Sequence, residues 1–177
     1  MVEKIDSQLK KELKNKVVLI TGGAGSIGSA LSEKLLEFPV KSLRVLDIDE
    51  HALFKLARKI KDKRLRTLLG SILNQERVDM ACSNVDIIIH TAAIKNIEIS
   101  EFNAIETIDI NVNGTVNMIK VVERKKPKKF LNVSTDKAAE SSTLYGTTKQ
   151  VGERLTSWAA AHIESTKFAS VRFGNVI

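Results

Sequence analysis

Residues 16–36, KVVLITGGAGSIGSALSEKLL, run from an unbroken apolar stretch through a glycine-rich turn into a segment of helical period. That junction constrains the fold more than any other part of the chain. An apolar run without polar alternation is buried on both faces, the condition of a strand in a parallel sheet covered by helices. DIIIH, at residues 86–90, has the same character. Apolar runs of this kind alternate with helix-period segments along the whole chain. Strands are expected at Lys16–Ile20, Ser42–Ile48, Arg66–Gly70, Val85–His90, Lys129–Ser134 and Lys167–Phe173. Helices are expected at Ile27–Glu37, Glu50–Lys61, Asn74–Ala81, Ala104–Arg124 and Thr143–His162. Such an alternation implies an α/β fold, a doubly wound parallel sheet with right-handed crossovers.

The 177 residues suit one domain at 16–177, preceded at 1–15 by a lead-in helix in which Ile5, Leu9 and Leu13 recur every four residues. No apolar run approaches the roughly 20 residues of a membrane span, and residues 1–16 lack the apolar core of a secretory signal. Cys82 stands alone, which fits a reducing, cytoplasmic compartment. His51, His90 and His162 are scattered, so no metal site is expected. The net charge of +7 gathers in KLARKIKDKRLR and ERKKPKK. No aromatic residues interleave these clusters, which argues against a nucleic-acid surface. A basic surface also suits a dianionic nucleotide sugar.

Gly22, Gly25 and Gly28 follow a strand, open a helix and precede an acid at the end of the next strand. This context is that of a dinucleotide fingerprint of the Rossmann type. Gly22 permits the tight turn, Gly25 lets backbone approach a pyrophosphate, and Gly28 allows close helix–strand packing. The amides near Ser26 and Ile27 would face the phosphates. Asp47 lies 19 residues beyond Gly28, where a carboxylate would accept from the adenine ribose. It favours NAD over NADP, although His51 and Lys55 keep NADP within reach. Further on, YGTTK places Tyr145 and Lys149 on one helix face. An ammonium there would draw the phenol toward phenolate and make Tyr145 a base for an alcohol proton.

TGGAGSIGSAL, HTAAIKN, NVNGT, STDKAAESSTLYGTTK and VRFGNV together resemble the extended short-chain dehydrogenase/reductase family. The resemblance is greatest to its nucleotide-sugar dehydratase/epimerase branch, in particular to the inverting UDP-N-acetylglucosamine 4,6-dehydratases of polysaccharide biosynthesis. It implies that Thr135 bonds the sugar 4-OH and that Tyr145 and Lys149 are the catalytic pair, Lys149 also reaching the nicotinamide ribose. Asp136 would protonate the departing 6-hydroxyl and Lys137 would take the C5 proton. Thr91, Ala92 and Ala93 would lie over the cofactor's ribose and phosphates. Lys95 and Asn175 would face the substrate, Asn111 would brace the sheet, and backbone near Val176 would lie beside the nicotinamide.

The sequence departs from the family in three places. Gly70, Ser71 and Ile72 replace Gly-Asp-Ile, so Ser71 meets the adenine amine only weakly. Asn96 stands where the family often has His. After GNV the family continues into a C-terminal domain that grips UDP, and that domain is expected to be absent from this chain. The family also implies a homo-oligomer through a helix bundle, and the apolar residues Ile110, Val112, Val116, Ile119, Val151, Leu155 and Trp158 are candidates for its interface. A UDP-sugar 4-epimerase, which would not need Lys137 as a base, and a non-catalytic dinucleotide-binding module are the alternative readings.

Overall fold

A computed structural model describes residues 2–174. Helix α1 (Val2–Leu13) leads into six strands: β1 (Val17–Thr21), β2 (Ser42–Asp47), β3 (Leu65–Leu69), β4 (Ile87–His90), β5 (Lys129–Thr135) and β6 (Lys167–Phe173). Between them run α2 (Ser26–Leu36), α3 (Glu50–Lys59), α4 (Gln75–Ala81), α5 (Ile97–Phe102), α6 (Ala104–Ile108), α7 (Gly114–Lys125) and α8 (Leu144–His162). The strands form one sheet in the order β3-β2-β1-β4-β5-β6, and every pairing is parallel. The expected doubly wound sheet is present, with strand boundaries displaced by at most two residues.

Every residue of β1 is buried, as its unbroken apolar run requires. Leu19 points with Ile88, Phe130 and Met118 into the core beneath α4 and α7. Val18 and Ile20 point the other way, with Val45, Leu53 and Ile89, beneath α2 and α3. Four helices start where a short polar side chain caps an open amide. Asp49 accepts from Ala52 N, Asn74 from Arg77 N, Asn96 from Ile99 N and Thr143 from Gly146 N.

Among the described side chains of α1, Leu13 is buried while Ile5 and Leu9 stay exposed. Two helix expectations need correction. The helix expected at Ala104–Arg124 is broken into α6, a π-helical turn at Asp109–Asn113, and α7. Helix α5 was not expected; Asn96 caps it, and Asn103 ends it with a non-helical backbone.

Because the chain winds outward from β1 in one direction and from β4 in the other, the connections leaving the carboxyl ends of these paired strands run to opposite sides. A crevice opens at such a switch point, and ligands of open α/β sheets lie there.

Candidate functional site

The turn after β1 forms one wall of this crevice. Gly22 has φ +65°, and a Cβ there would stand 2.5 Å from the Ala92 Cα. A Cβ on Gly28 would stand 2.3 Å from the Gly23 Cα. Gly25 meets only the Gly22 carbonyl oxygen, at 3.4 Å, so its exposed side is open for a ligand. Gly25 is also the N-cap of α2 and supplies no side-chain cap, and no acid lies in the first turn. The amides of Ser26 and Ile27 therefore begin a helix whose positive end is uncompensated, a ready position for phosphate.

Asp47, expected at the adenine ribose, lines the same crevice. Its Oδ2 accepts from Ala24 N at 2.9 Å and its Oδ1 from Asp49 N at 3.1 Å. The carboxylate thus ties the glycine turn to the end of β2 as well as lining the crevice. Ser71 and Ile72 line it too, but the Ser71 hydroxyl accepts from Leu73 N and Ile72 is mostly buried. On the opposite wall, the Thr91 hydroxyl donates to the carbonyls of Thr21 and Gly22, bolting the end of β4 to the turn. Ala92 and Ala93 follow it along the crevice, which encloses about 450 Å³. That size, with its glycine wall and open amides, fits a dinucleotide.

A second, wider cleft of about 1230 Å³ continues from the first. Ser26, Ile27, Thr91, Ala93 and Lys95 line both. Four of the five residues expected to be catalytic line this second cleft, Thr135, Lys137, Tyr145 and Lys149, and Asp136 does not. Thr135 ends β5, Asp136 and Lys137 open the 3₁₀ turn Asp136–Ala138 beyond it, and the other two lie one turn apart at the start of α8. Thr135 Oγ1 donates to Asp136 Oδ1 at 2.9 Å, and Lys137 Nζ lies 3.5 Å from the same oxygen. Asn175 and Val176 fall outside the described residues.

The electrostatics differ from the expectation at Tyr145. Its phenol is pushed up, by burial first; the Thr135 hydroxyl opposes this and the Asp136 carboxylate adds to it. No pull from Lys149 opposes the burial. Lys149 is only 7% exposed, and burial draws its ammonium down to about 8, against a smaller opposing effect from Glu153. Asp136 is held below the ordinary carboxylate range, chiefly by the Thr135 hydroxyl and, against some desolvation, by Lys137.

Beneath the floor lies a buried polar relay that the sequence did not announce. Thr115 Oγ1 donates to the Asn111 carbonyl, so its oxygen can only accept from His90 Nε2, 3.2 Å away. His90 Nδ1 is then the acceptor for Thr21 Oγ1 at 2.7 Å. This fixes one tautomer, and burial, then Lys149, lowers the imidazole to about 3, keeping it neutral. Asn111, in the π turn, accepts from Ile94 N and donates to Ile94 O and to Thr148 Oγ1. It joins the loop after β4 to α8, where the resemblance implied a brace on the sheet. Among the described residues, no group of three or more His, Cys, Asp or Glu side chains is placed to hold a metal ion.

Residues 18–177 match the family described as polysaccharide biosynthesis protein. The chain belongs to that family. Within it, the chain is 40% identical over 166 residues to an uncharacterized membrane protein of Methanocaldococcus jannaschii, covering 93% of this chain and 50% of that one. It is 34% identical to a UDP-N-acetylglucosamine 4,6-dehydratase (inverting) of Campylobacter jejuni, covering 92% and 49%. It is 31% identical to a UDP-glucose 4-epimerase of Rickettsia canadensis, covering 92% and 50%. Among solved structures, Pen from Bacillus thuringiensis superposes with a TM-score of 0.90 at 38% identity, covering 93% of this chain and 52% of that one. The chain thus spans about half the length of the curated relatives it matches.

In this polysaccharide biosynthesis family member, two charged residues beside the site went unread in the sequence. Glu153 lies one turn beyond Lys149, and Arg172 lies on β6 opposite Ser134. A glutamate four residues after a lysine looks like an ordinary surface helix pair, and nothing local marks its partner on a strand.

Lys149 also gives a stability prediction. Its folded-state value of about 8 lies below the ordinary 10.5. Between those pH values the unfolded chain holds a proton that the folded chain has released, so folding stability rises with pH across that window. Below it, the cost of burying the ammonium is fully present. Lys149→Met should therefore raise stability at pH 7 by roughly 1–3 kcal/mol, with the gain fading toward pH 10.5. Chemical denaturation at several pH values checks both the sign and the window.

Proposed function

We propose that this chain holds NAD across the glycine turn and carries the catalytic residues of a nucleotide-sugar 4,6-dehydratase acting on a UDP-N-acetylglucosamine-like substrate. One observation carries the reading: Thr135, Lys137, Tyr145 and Lys149 share a cleft continuous with the one that fits a dinucleotide. The inverting dehydratase among the relatives supports the substrate class. NAD supplies a hydride acceptor and donor when bound. In this reading Tyr145 takes the 4-OH proton, Thr135 holds that hydroxyl, and Lys149 supports both the phenol and the nicotinamide ribose. Lys137 removes the C5 proton and Asp136 protonates the departing 6-hydroxyl. Lys95 and Asn175 contact the sugar nucleotide.

A 4-epimerase reading draws on one observation. Asp136 is held ionised by Thr135, which suits an acceptor better than an acid. Incubation of a complete enzyme carrying this segment with UDP-N-acetylglucosamine decides between them by mass. Loss of one water supports dehydration; an isomer of unchanged mass selects epimerisation. The 177-residue chain by itself should bind NAD but turn the sugar over poorly, since positioning contributes roughly 7–11 kcal/mol to such a barrier and the relatives are about twice as long.

NAD should bind more tightly than NADP, because Asp47 and Asp49 both line the crevice and would repel a 2′-phosphate. Asp47→Ala should weaken NAD, narrow or reverse that preference, and also loosen the turn by removing the acceptor for Ala24 N. Calorimetry with both dinucleotides tests this; NADP binding tenfold tighter, about 1.4 kcal/mol, would reverse the assignment.

A homo-oligomer and a cytoplasmic location belong to the same proposal. Ile119 is buried within the chain, so it leaves the expected interface. The exposed surplus lies on α5, α6 and α8, where Phe102 is 90% and Ile105 74% exposed and Ile99 and the expected Trp158 are exposed as well. Light scattering at high concentration should give a mass above the monomer's, and Phe102→Glu should lower it. Among the described residues no helix is long and apolar enough to cross a membrane.

A further inference from the structure

Arg172 on β6 grips Glu153 on α8 with both ends of its fork, Nε to Oε1 at 2.7 Å and Nη2 to Oε2 at 2.5 Å. The two members of this pair are not equivalent. The Glu153 side chain is 14% exposed and the Arg172 side chain 45%. Glu153 also lies on the helix face of Lys149, one turn further along. Its carboxylate is therefore bound by an exposed guanidinium and acts through space on a buried ammonium.

The other ionisable groups around Lys149 leave it little choice of counter-charge. Tyr145, one turn back on α8, is kept protonated by burial first. His90, from β4, is buried and neutral. Asp136, from the turn after β5, acts on Tyr145 and not on Lys149. Glu153 is the group that opposes the burial of Lys149. Arg172, in turn, is the strongest influence on Glu153 and stabilises its charge.

We infer that Glu153 is a positioning residue that keeps Lys149 an ammonium beneath the site, and that Arg172 sets how strongly it does so. The inference rests on the proposed function only in treating Lys149 as part of the catalytic floor. A pair that merely fastened α8 to β6 would behave symmetrically, since loss of either partner opens the same latch. An electrostatic pair does not. Removing the carboxylate takes away the counter-charge of Lys149, whereas removing the guanidinium leaves that carboxylate to the neutral Ser134 hydroxyl and to the cationic Lys149.

The test is the titration of Lys149 in the purified chain, followed by the Cε resonance of ¹³C-labelled lysine and assigned by its loss in Lys149→Arg. Glu153→Gln should lower the midpoint by about one pH unit and Arg172→Gln should raise it by a similar amount. Thermal unfolding of the two variants should fall together. Midpoints that move in the same direction, or do not move, overturn the inference. If Glu153→Gln does not fold, Glu153→Asp retains the charge at a greater distance and should give a smaller drop; an unchanged or higher midpoint there overturns it as well. No sugar or cofactor is present in this measurement, so its outcome is separate from the dehydratase assignment, which is decided by product mass.

Discussion

Lys137→Ala should slow elimination about 10²–10⁴-fold in a complete enzyme carrying this segment, the usual scale for loss of a general base. Lys137 sits on the 3₁₀ turn directly beyond β5, with its ammonium 3.5 Å from Asp136, and lines the second cleft. Dehydration requires the C5 proton to leave and a solvent proton to replace it. Reaction in deuterated water should accordingly place deuterium at C5 of a 4-keto-6-deoxy product. Epimerisation at C4 leaves that proton untouched. A sugar that keeps its 6-hydroxyl and gains no deuterium at C5 would sink the role given to Lys137, whatever the rate of the variant. Affinity for NAD should survive the substitution, because Lys137 lines only the second of the two clefts.

Gly28→Ala should have the second largest effect. The added methyl group would stand 2.3 Å from the Gly23 Cα and 2.7 Å from the Gly22 carbonyl oxygen, both backbone atoms of the turn. Neither can yield as a flexible side chain would, so helix α2 must move away from the turn. A loss of about 1–3 kcal/mol in stability is expected, with NAD binding weakened tenfold or more as the helix amides leave their positions. Gly25→Ala provides the contrast. Its Cβ meets one atom at 3.4 Å, ordinary contact at most, so the fold should tolerate it. The methyl group would instead occupy the space a pyrophosphate needs. Thermal unfolding and calorimetry on the pair should therefore separate, with both properties lost in the first variant and binding alone in the second. Equal melting temperatures would show that the turn is softer than its packing indicates.

Much of this architecture was legible because both of its signals are local. The VVLI run reads as a strand buried on two faces from composition alone, and Val18 and Leu19 do enter opposite cores. The three glycines and Asp47 are separated by fixed spacings along one βαβ unit, so their convergence follows from topology. Tyr145 and Lys149 share a helix face by period. What escaped depends on contacts between segments distant in sequence. Arg172 meets Glu153 across 19 positions and Asn111 meets Thr148 across 37, and no short pattern encodes either. The charge state of Tyr145 escaped for the same reason. Proximity to an ammonium was visible, but the depth of burial that loosens the lysine's own proton was not. Helix α5 was missed because its six residues are too few for a periodic signal, although the capping Asn96 was present.

The π turn at Asp109–Asn113 has an evolutionary meaning. Such a turn contains one residue more than the α-helix it interrupts. Deleting a single codon there would restore regular winding and leave α6 and α7 facing nearly as before, because five residues of π winding turn through about the same angle as four of α winding. It would, however, re-aim the side chains of the turn itself. Asn111 would leave Ile94 and Thr148, and the loop after β4 would lose its tie to the catalytic helix. No substitution reproduces that change. Descent within this family should therefore tolerate many exchanges of residue type between α6 and α7 and few changes of length, and a one-residue gap in that segment of a relative would mark a lineage that organises its active site differently.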